Sequence, residues 1–162
     1  MKKGLSILSV LTLIFFVSSP VKAQDVKLTS ATGVNFAFPM GDMSNVYNFG
    51  WGVYGDVDYN FNKFLTARLD IGWNQFSGDD ITDELGLTEE VKETVWEFTG
   101  GLRAKVSFVY AEFRGGYFTG VESWGYVPAV GLRFGKLDIQ GNITIAGDNQ
   151  WGGVRIAYYW GH

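Results

Sequence analysis

The sequence predicts an all-β chain folded as an eight-stranded antiparallel up-and-down barrel, and three observations carry that expectation. From Leu137 to Ala146 the residues alternate, with Leu137, Ile139, Ile143 and Ile145 on one face and Asp138, Gln140, Asn142 and Thr144 on the other. Period two is the signature of a strand lying between an apolar and a polar medium. The same alternation recurs along most of the chain, in stretches close to the roughly ten residues a tilted strand needs to cross a bilayer. Composition agrees: 22 glycines, 17% aromatics and only 3 prolines suit a β-rich protein. The expected class is therefore a transmembrane β-barrel.

The first residues read as an export signal. Lys2 and Lys3 supply a positive end, Leu5 to Val17 an apolar stretch, and Val21-Lys22-Ala23 a small-residue cleavage site before Gln24. Residues 1–23 are thus assigned to a signal peptide and 24–162 to a single barrel domain. The apolar stretch is too short for a membrane anchor, and no later run approaches the length of a membrane helix. Cysteine is absent, which excludes disulfides and thiol chemistry. Lys2, Lys3 and Lys22 leave with the signal, so ten basic residues face seventeen acidic ones, a net charge of −7. An acidic chain is a poor partner for nucleic acid, whose phosphates select basic surfaces.

Strands are expected over Val26–Phe38, Tyr47–Tyr59, Leu65–Phe76, Glu93–Val106, Val109–Phe118, Gly125–Phe134, Leu137–Ala146 and Trp151–Trp160. Their connections alternate in length. Those after the first, third, fifth and seventh strands hold Pro39 to Val46, Ser77 to Lys92, Thr119 to Trp124 and Gly147 to Gln150. Those after the second, fourth and sixth are short: Asn60–Phe64, Ser107-Phe108 and Gly135-Lys136. A meander sorts these to opposite ends, the arrangement of outer-membrane barrels. Gly135-Lys136 suits a type II′ hairpin, and a helical turn is expected around Leu85 to Val91.

Alternation does not say which face looks inward, because a soluble lipocalin-like barrel alternates too, with its apolar face inside. Charge balance favours the inverted arrangement. By parity the polar face carries Lys27, Arg68, Arg103, Lys105, Arg114, Arg133 and Arg155 together with Asp56, Asp58, Asp70, Glu97, Glu112 and Asp138. A confined interior needs such balance, since unpaired buried charges are costly. Folding the short turns sets Arg133 opposite Asp138, Arg103 opposite Glu112 and Asp56 opposite Arg68, a candidate lumen network. On the apolar face, Trp51, Trp73, Trp96, Tyr117 and Tyr126 fall near the long-loop ends, whereas Tyr59, Phe134, Tyr158 and Trp160 fall near the short turns. Two aromatic rings around an aliphatic belt are what bilayer interfaces select.

With its export signal, strand count, loop alternation and aromatic last strand Val154-Arg155-Ile156-Ala157-Tyr158-Tyr159-Trp160, the chain resembles the small eight-stranded outer-membrane proteins of the OmpA/OmpX-like barrel-domain family. The resemblance covers Val26 to Trp160. It implies residence in a Gram-negative outer membrane, contact with outer-membrane lipid and insertion by the barrel assembly machinery. Such proteins often end on the terminal aromatic itself, whereas Gly161 and His162 follow Trp160 here.

Signals for chemistry are weak. Gly50-Trp51-Gly52-Val53-Tyr54-Gly55 has dinucleotide-binding spacing but sits inside an alternating strand, without the helix that must meet a pyrophosphate. The only histidine is His162, so a histidine-based lipid hydrolase is not expected, and neither an enzyme activity nor a cofactor is assigned. Asp79, Asp80, Asp83, Glu84, Glu89, Glu90 and Glu93 crowd one loop around Lys92; residues 79–93 are a candidate contact for a divalent cation or surface ligand, or simply a solvated loop. Asn142-Ile143-Thr144 fits a glycosylation sequon but lies mid-strand. The expected role is structural or surface interaction. The alternatives are a narrow pore, which the inward glycines (Gly33, Gly50, Gly52, Gly72, Gly101, Gly116, Gly131, Gly153) leave open, and a soluble lipid-binding barrel.

Overall fold

A computed structural model of the chain describes residues 28–82 and 88–160, with side chains described at all of these except 79–82 and 88–90. The expected signal segment, Lys27 and His162 lie outside the described residues. The described chain forms β1 (Leu28–Met40), a 3-10 turn (Gly41–Asn45), β2 (Tyr47–Asn60), β3 (Leu65–Thr82), β4 (Thr88–Val106), β5 (Val109–Phe118), β6 (Ser123–Phe134), β7 (Leu137–Ala146) and β8 (Asn149–Trp160). Each strand pairs antiparallel with the next, and β8 pairs back onto β1 from Ser30↔Trp160 to Met40↔Gln150. The result is a closed eight-stranded barrel with no free sheet edge.

The short turns are knitted into the wall. Each offers a carbonyl to the next hairpin: Phe64 O accepts from Lys105 N at 2.7 Å, Phe108 O from Arg133 N at 2.7 Å, and Lys136 O from Tyr159 N at 2.8 Å. In the β2–β3 turn, Asn62 Oδ1 accepts the backbone N–H groups of Phe64 (2.7 Å) and Leu65 (2.9 Å). Gly135 opens the β6–β7 turn at φ 60°, and Ser107 holds the same left-handed conformation (φ 59°) in the β4–β5 turn.

At the other end the strands outrun the sequence expectation. β3 and β4 continue to Thr82 and from Thr88, past a register irregularity between Ser77 and Asp80. The helical turn expected around Leu85 to Val91 is not formed at residues 88–91, which are strand; 85–87 lie outside the described residues. The expected Gly147–Gln150 loop is a two-residue turn, because Asn149 and Gln150 pair with Ala146 and Ile145. Trp124, expected in a loop, lies in β6 opposite Tyr117. The reason is common to all three. Beyond an apolar belt both faces of a strand are wet, so the period-two signal fades while the backbone ladder continues.

Facing is decided by neighbours in sequence. Leu69 is 70% exposed and Arg68 beside it 3%; Phe113 is 58% exposed and Arg114 beside it 0%. Ile139 and Ile143 are exposed, whereas Asp138, Gln140 and Asn142 are buried. Charged residues fill the inside and aliphatic residues cover the outside, the reverse of a soluble barrel with an apolar cavity. An apolar surface this continuous marks contact with a membrane. Trp51, Trp73, Trp96, Tyr117 and Tyr126 stand on the outer wall toward the long-loop end, where Trp51 meets Trp73 at 5.3 Å between centroids and Trp124 meets Tyr117 at 5.7 Å. Tyr59, Phe134, Tyr158 and Trp160 stand at the other end, where Trp160 packs on Tyr158 at 4.9 Å and gives its indole N–H to Thr32 Oγ1 at 2.9 Å.

Two substitutions test this account. Ile143→Arg, which puts a cation on the outer wall, is expected to lower unfolding free energy by about 2–4 kcal/mol in lipid. Ser107→Gly relieves the left-handed backbone of a non-glycine residue and is expected to raise it by about 0.5–1 kcal/mol. Urea unfolding of barrels refolded into vesicles reads both.

Candidate functional site

The lumen is the only part of the described chain where ionisable groups converge. Its floor is set by cross-strand pairs in which a glycine makes room for a ring on the adjacent strand. Gly33 lies opposite Tyr54, Gly50 opposite Phe76, and Gly131 opposite Tyr110. A Cβ at Gly131 would sit 2.3 Å from the Tyr110 phenol, and one at Gly33 2.8 Å from the Tyr54 ring. At Gly33, Gly50 and Gly131 the space beside the glycine is taken by the ring of the facing residue.

On those rings lie arginines. Arg103 stacks 3.7 Å from the Tyr110 centroid and Arg155 4.4 Å from that of Tyr54. Stacking presents a guanidinium edge-on to the carboxylates around it. Arg68 grips Asp58 with two bonds (2.8 and 3.1 Å) and reaches Asp56 at 3.3 Å. Arg103 binds Glu112 at 2.7 Å and Asp138 at 3.2 Å. Arg114 lies 3.0 Å from Asp70 and 2.8 Å from Glu112. Arg155 binds Asp70 at 2.9 Å and also Glu97. Glu112 is thereby shared by Arg103, Arg114 and, at 3.5 Å, Arg68.

The fully buried set holds four arginines and six carboxylates, not the near-equal balance read from parity. Lys105 and Arg133 are only half-buried, at the short-turn mouth. Neutral donors make up the difference: Tyr110 OH to Asp138 (2.5 Å), Tyr159 OH to Asp58 (2.9 Å), Asn74 to Glu97 (2.7 Å) and Gln140 to Glu112 (3.1 Å). These donors occupy carboxylate lone pairs that the four guanidiniums do not reach.

One of the three expected pairings differs, whereas Arg103 does stand opposite Glu112. Asp56 stands opposite Asp70, and Asp58 opposite Arg68, because the β2–β3 turn closes on Asn60↔Thr66, one step beyond the assumed pair. Asp56 still reaches Arg68 diagonally. Arg133 does stand opposite Asp138, but its guanidinium lies over the Tyr159 ring at 3.4 Å, while Asp138 takes Arg103 and Tyr110. Arg133 at the mouth can stay hydrated; Arg103, fully inside, cannot, and it captures the carboxylate.

Above this network, toward the long-loop end, sits a layer that parity reading missed. Phe76, Val95, Phe118, Val127 and Trp151 point inward and pack with Ala37, Met43 and Ala146, with Tyr47 and Val121 against them. Trp151 meets Phe76 at 5.4 Å and Phe118 at 5.7 Å, edge to face. The signal was present: each of these residues lies at an even spacing from an inward polar one, as Phe76 does from Asn74 and Trp151 from Arg155. An apolar layer thus lies above the ionic one inside the barrel. Among residues whose side chains are described, no three ionisable groups are arranged to hold a metal. The acidic loop 79–93 is described in full only from Val91 onward, where Glu93 accepts a hydrogen bond from Tyr47 OH at 2.9 Å.

Arg155→Met is expected to cost about 3–5 kcal/mol, because it takes the arginine from buried Glu97 and leaves Asp70 with Arg114 alone. Adding Glu97→Gln should recover part of that loss, a coupling that a double-mutant cycle in urea measures. Gly131→Ala, driven against Tyr110, is expected to cost about 1–3 kcal/mol in the same assay.

Searches against protein-family models and curated proteins find no match for the chain. Solved structures do match in shape. A de novo designed transmembrane β-barrel aligns at a TM-score of 0.53 with 18% identity, covering 85% of this chain and 98% of that one. Ail, the attachment invasion locus protein of Yersinia pestis, aligns at 0.55 with 13% identity, covering 85% of this chain and 100% of its own. Ail in complex with the heparin analogue sucrose octasulfate aligns at 0.53 with 13% identity, covering 82% and 97%. At these identities the likeness is one of fold, and the fold is that of small transmembrane β-barrels.

Proposed function

We propose that this chain is an integral outer-membrane protein of a Gram-negative envelope, exported by a signal at residues 1–23 and inserted as a barrel of residues 24–162 by the barrel assembly machinery. Its role is structural or one of surface interaction, with no catalysis and no conduction. The observation that carries the reading is the two-layered lumen: an ionic layer around Glu112 with an apolar plug of Phe76, Phe118 and Trp151 above it. Eight strands enclose only enough space for side chains to fill, and these side chains fill it.

The two aromatic rings anchor the barrel at the membrane surfaces. In this orientation the long-loop end faces outward, and its charge selects its partners. Asp42, Glu93, Glu122 and Asp148 stand there, with the carboxylates of the 79–93 loop beside them in sequence and Lys92 the one cation among the described residues. A sulfated ligand of the kind bound by Ail is disfavoured by such a surface. Cationic groups, or divalent ions bridging to lipid phosphates, are the complementary contacts.

Two measurements test the reading. The purified protein is expected to run as a compact, heat-modifiable band, shifting on boiling, and to require detergent for extraction. In planar bilayers it is expected to give no steady open channel. Sustained unitary conductance would show that the plug opens, and release of the protein by carbonate without detergent would show that it is not a membrane barrel.

A further inference from the structure

Outside the buried network the charges of the described chain separate by end, with Lys92 the exception among the acidic residues. Lys63 lies in the β2–β3 turn, Lys105 and Arg133 at the short-turn ends of β4 and β6, and Lys136 in the β6–β7 turn. No aspartate or glutamate lies at that end of the described chain outside the buried core. The opposite end carries the acidic residues named above. Such segregation is not needed by the fold, since none of these four cations belongs to an ion pair within the described structure.

The placement of the cations says what they meet. Lys63 Nζ lies 4.9 Å from the centroid of the Phe64 ring, and Lys136 Nζ 5.8 Å from that of Tyr158. Both rings stand exposed on the outer wall, at the edge of its apolar belt. An ammonium riding on an interfacial ring sits where a lipid headgroup carries its phosphate, with its alkyl stem along the apolar surface. Lys105 and Arg133 add charge at the lumen mouth on the same side. We infer that the short-turn end is a basic collar that selects anionic phospholipids, binding their phosphodiester headgroups in the leaflet it faces. The collar complements a negative headgroup layer, whereas the acidic end repels one. This rests on the membrane-barrel reading above, and it adds a lipid class and a leaflet to it.

The test uses the full mature barrel in detergent micelles, titrated with dioleoylphosphatidylglycerol or dioleoylphosphatidylcholine and followed by native mass spectrometry. The expected result is tighter binding of phosphatidylglycerol, by about tenfold at low salt, falling as salt rises. The variant Lys63→Gln/Lys105→Gln/Lys136→Gln is expected to bind both lipids alike while keeping its heat-modifiable band. A control, Asp42→Asn/Glu122→Gln/Asp148→Asn, removes as many charges at the other end and is expected to leave the lipid preference within twofold. Equal binding of the two lipids by the unaltered protein overturns the inference, as does a preference that survives loss of the three lysines or that tracks net charge in the control. Loss of heat modifiability in the unaltered protein would instead overturn the membrane-barrel reading, so the two failures are distinguishable.

Discussion

Closure of the β1–β8 seam is the constraint from which the rest follows. A strand in hydrocarbon cannot leave its N–H and C=O groups unpaired, so the sheet must end on itself. Eleven register pairs from Ser30↔Trp160 to Met40↔Gln150 perform that closure. They bring the start of β1 and the end of β8 to one end of the barrel, and they force every strand to show one face to the surroundings and one to the lumen. An eight-stranded lumen is too narrow for bulk water, so whatever polarity the inner face carries must satisfy itself. The charge network is the consequence of closing the sheet around an inner face that could not also be apolar without losing the inside–outside distinction.

That network does not obey simple pairing. With six carboxylates against four guanidiniums, its unit is the shared group: Glu112 among three arginines, Asp70 between Arg114 and Arg155, Asp58 under both Arg68 and Tyr159. Sharing is geometrically demanding. It works because Tyr54 and Tyr110, each filling the hollow over a cross-strand glycine, give Arg155 and Arg103 a flat support. The glycines, the rings and the arginines are three layers of one packing solution, and a Cβ on Gly131 would disturb Asp138 through Tyr110.

Strand existence, facing and the antiparallel order were legible in the sequence because each residue of the belt reports its medium. Registers were legible only where the turn was. Gly135-Lys136 names its own geometry, so Arg133↔Asp138 follows; the β2–β3 turn is closed by Asn62 capping Phe64 and Leu65, which composition does not announce, and Asp58 rather than Asp56 came to face Arg68. Even a correct register did not give the contacts, as Arg133 shows: which arginine wins a carboxylate depends on which one is deprived of water. The apolar plug was hidden for a different reason. Phe76 and Trp151 have the hydrophobicity of the outer wall and the parity of the inner one, and only parity carried down the whole strand separates them.

The plug also bears on why the ionic layer can exist. Hydrated from the long-loop end, the Glu97–Arg155 and Asp70–Arg114 pairs would exchange their partners for water and gain little from each other. Roofed by Phe76, Phe118, Val95 and Trp151, they remain in a medium where each charge-assisted bond is strong and each missing one costly. The roof needs the network in turn, because inward apolar residues along the full length of every strand would erase the difference between the faces that fixes register. The lumen is therefore layered for a reason: polarity in the middle specifies the barrel, and the apolar layer above keeps that polarity dry enough to matter.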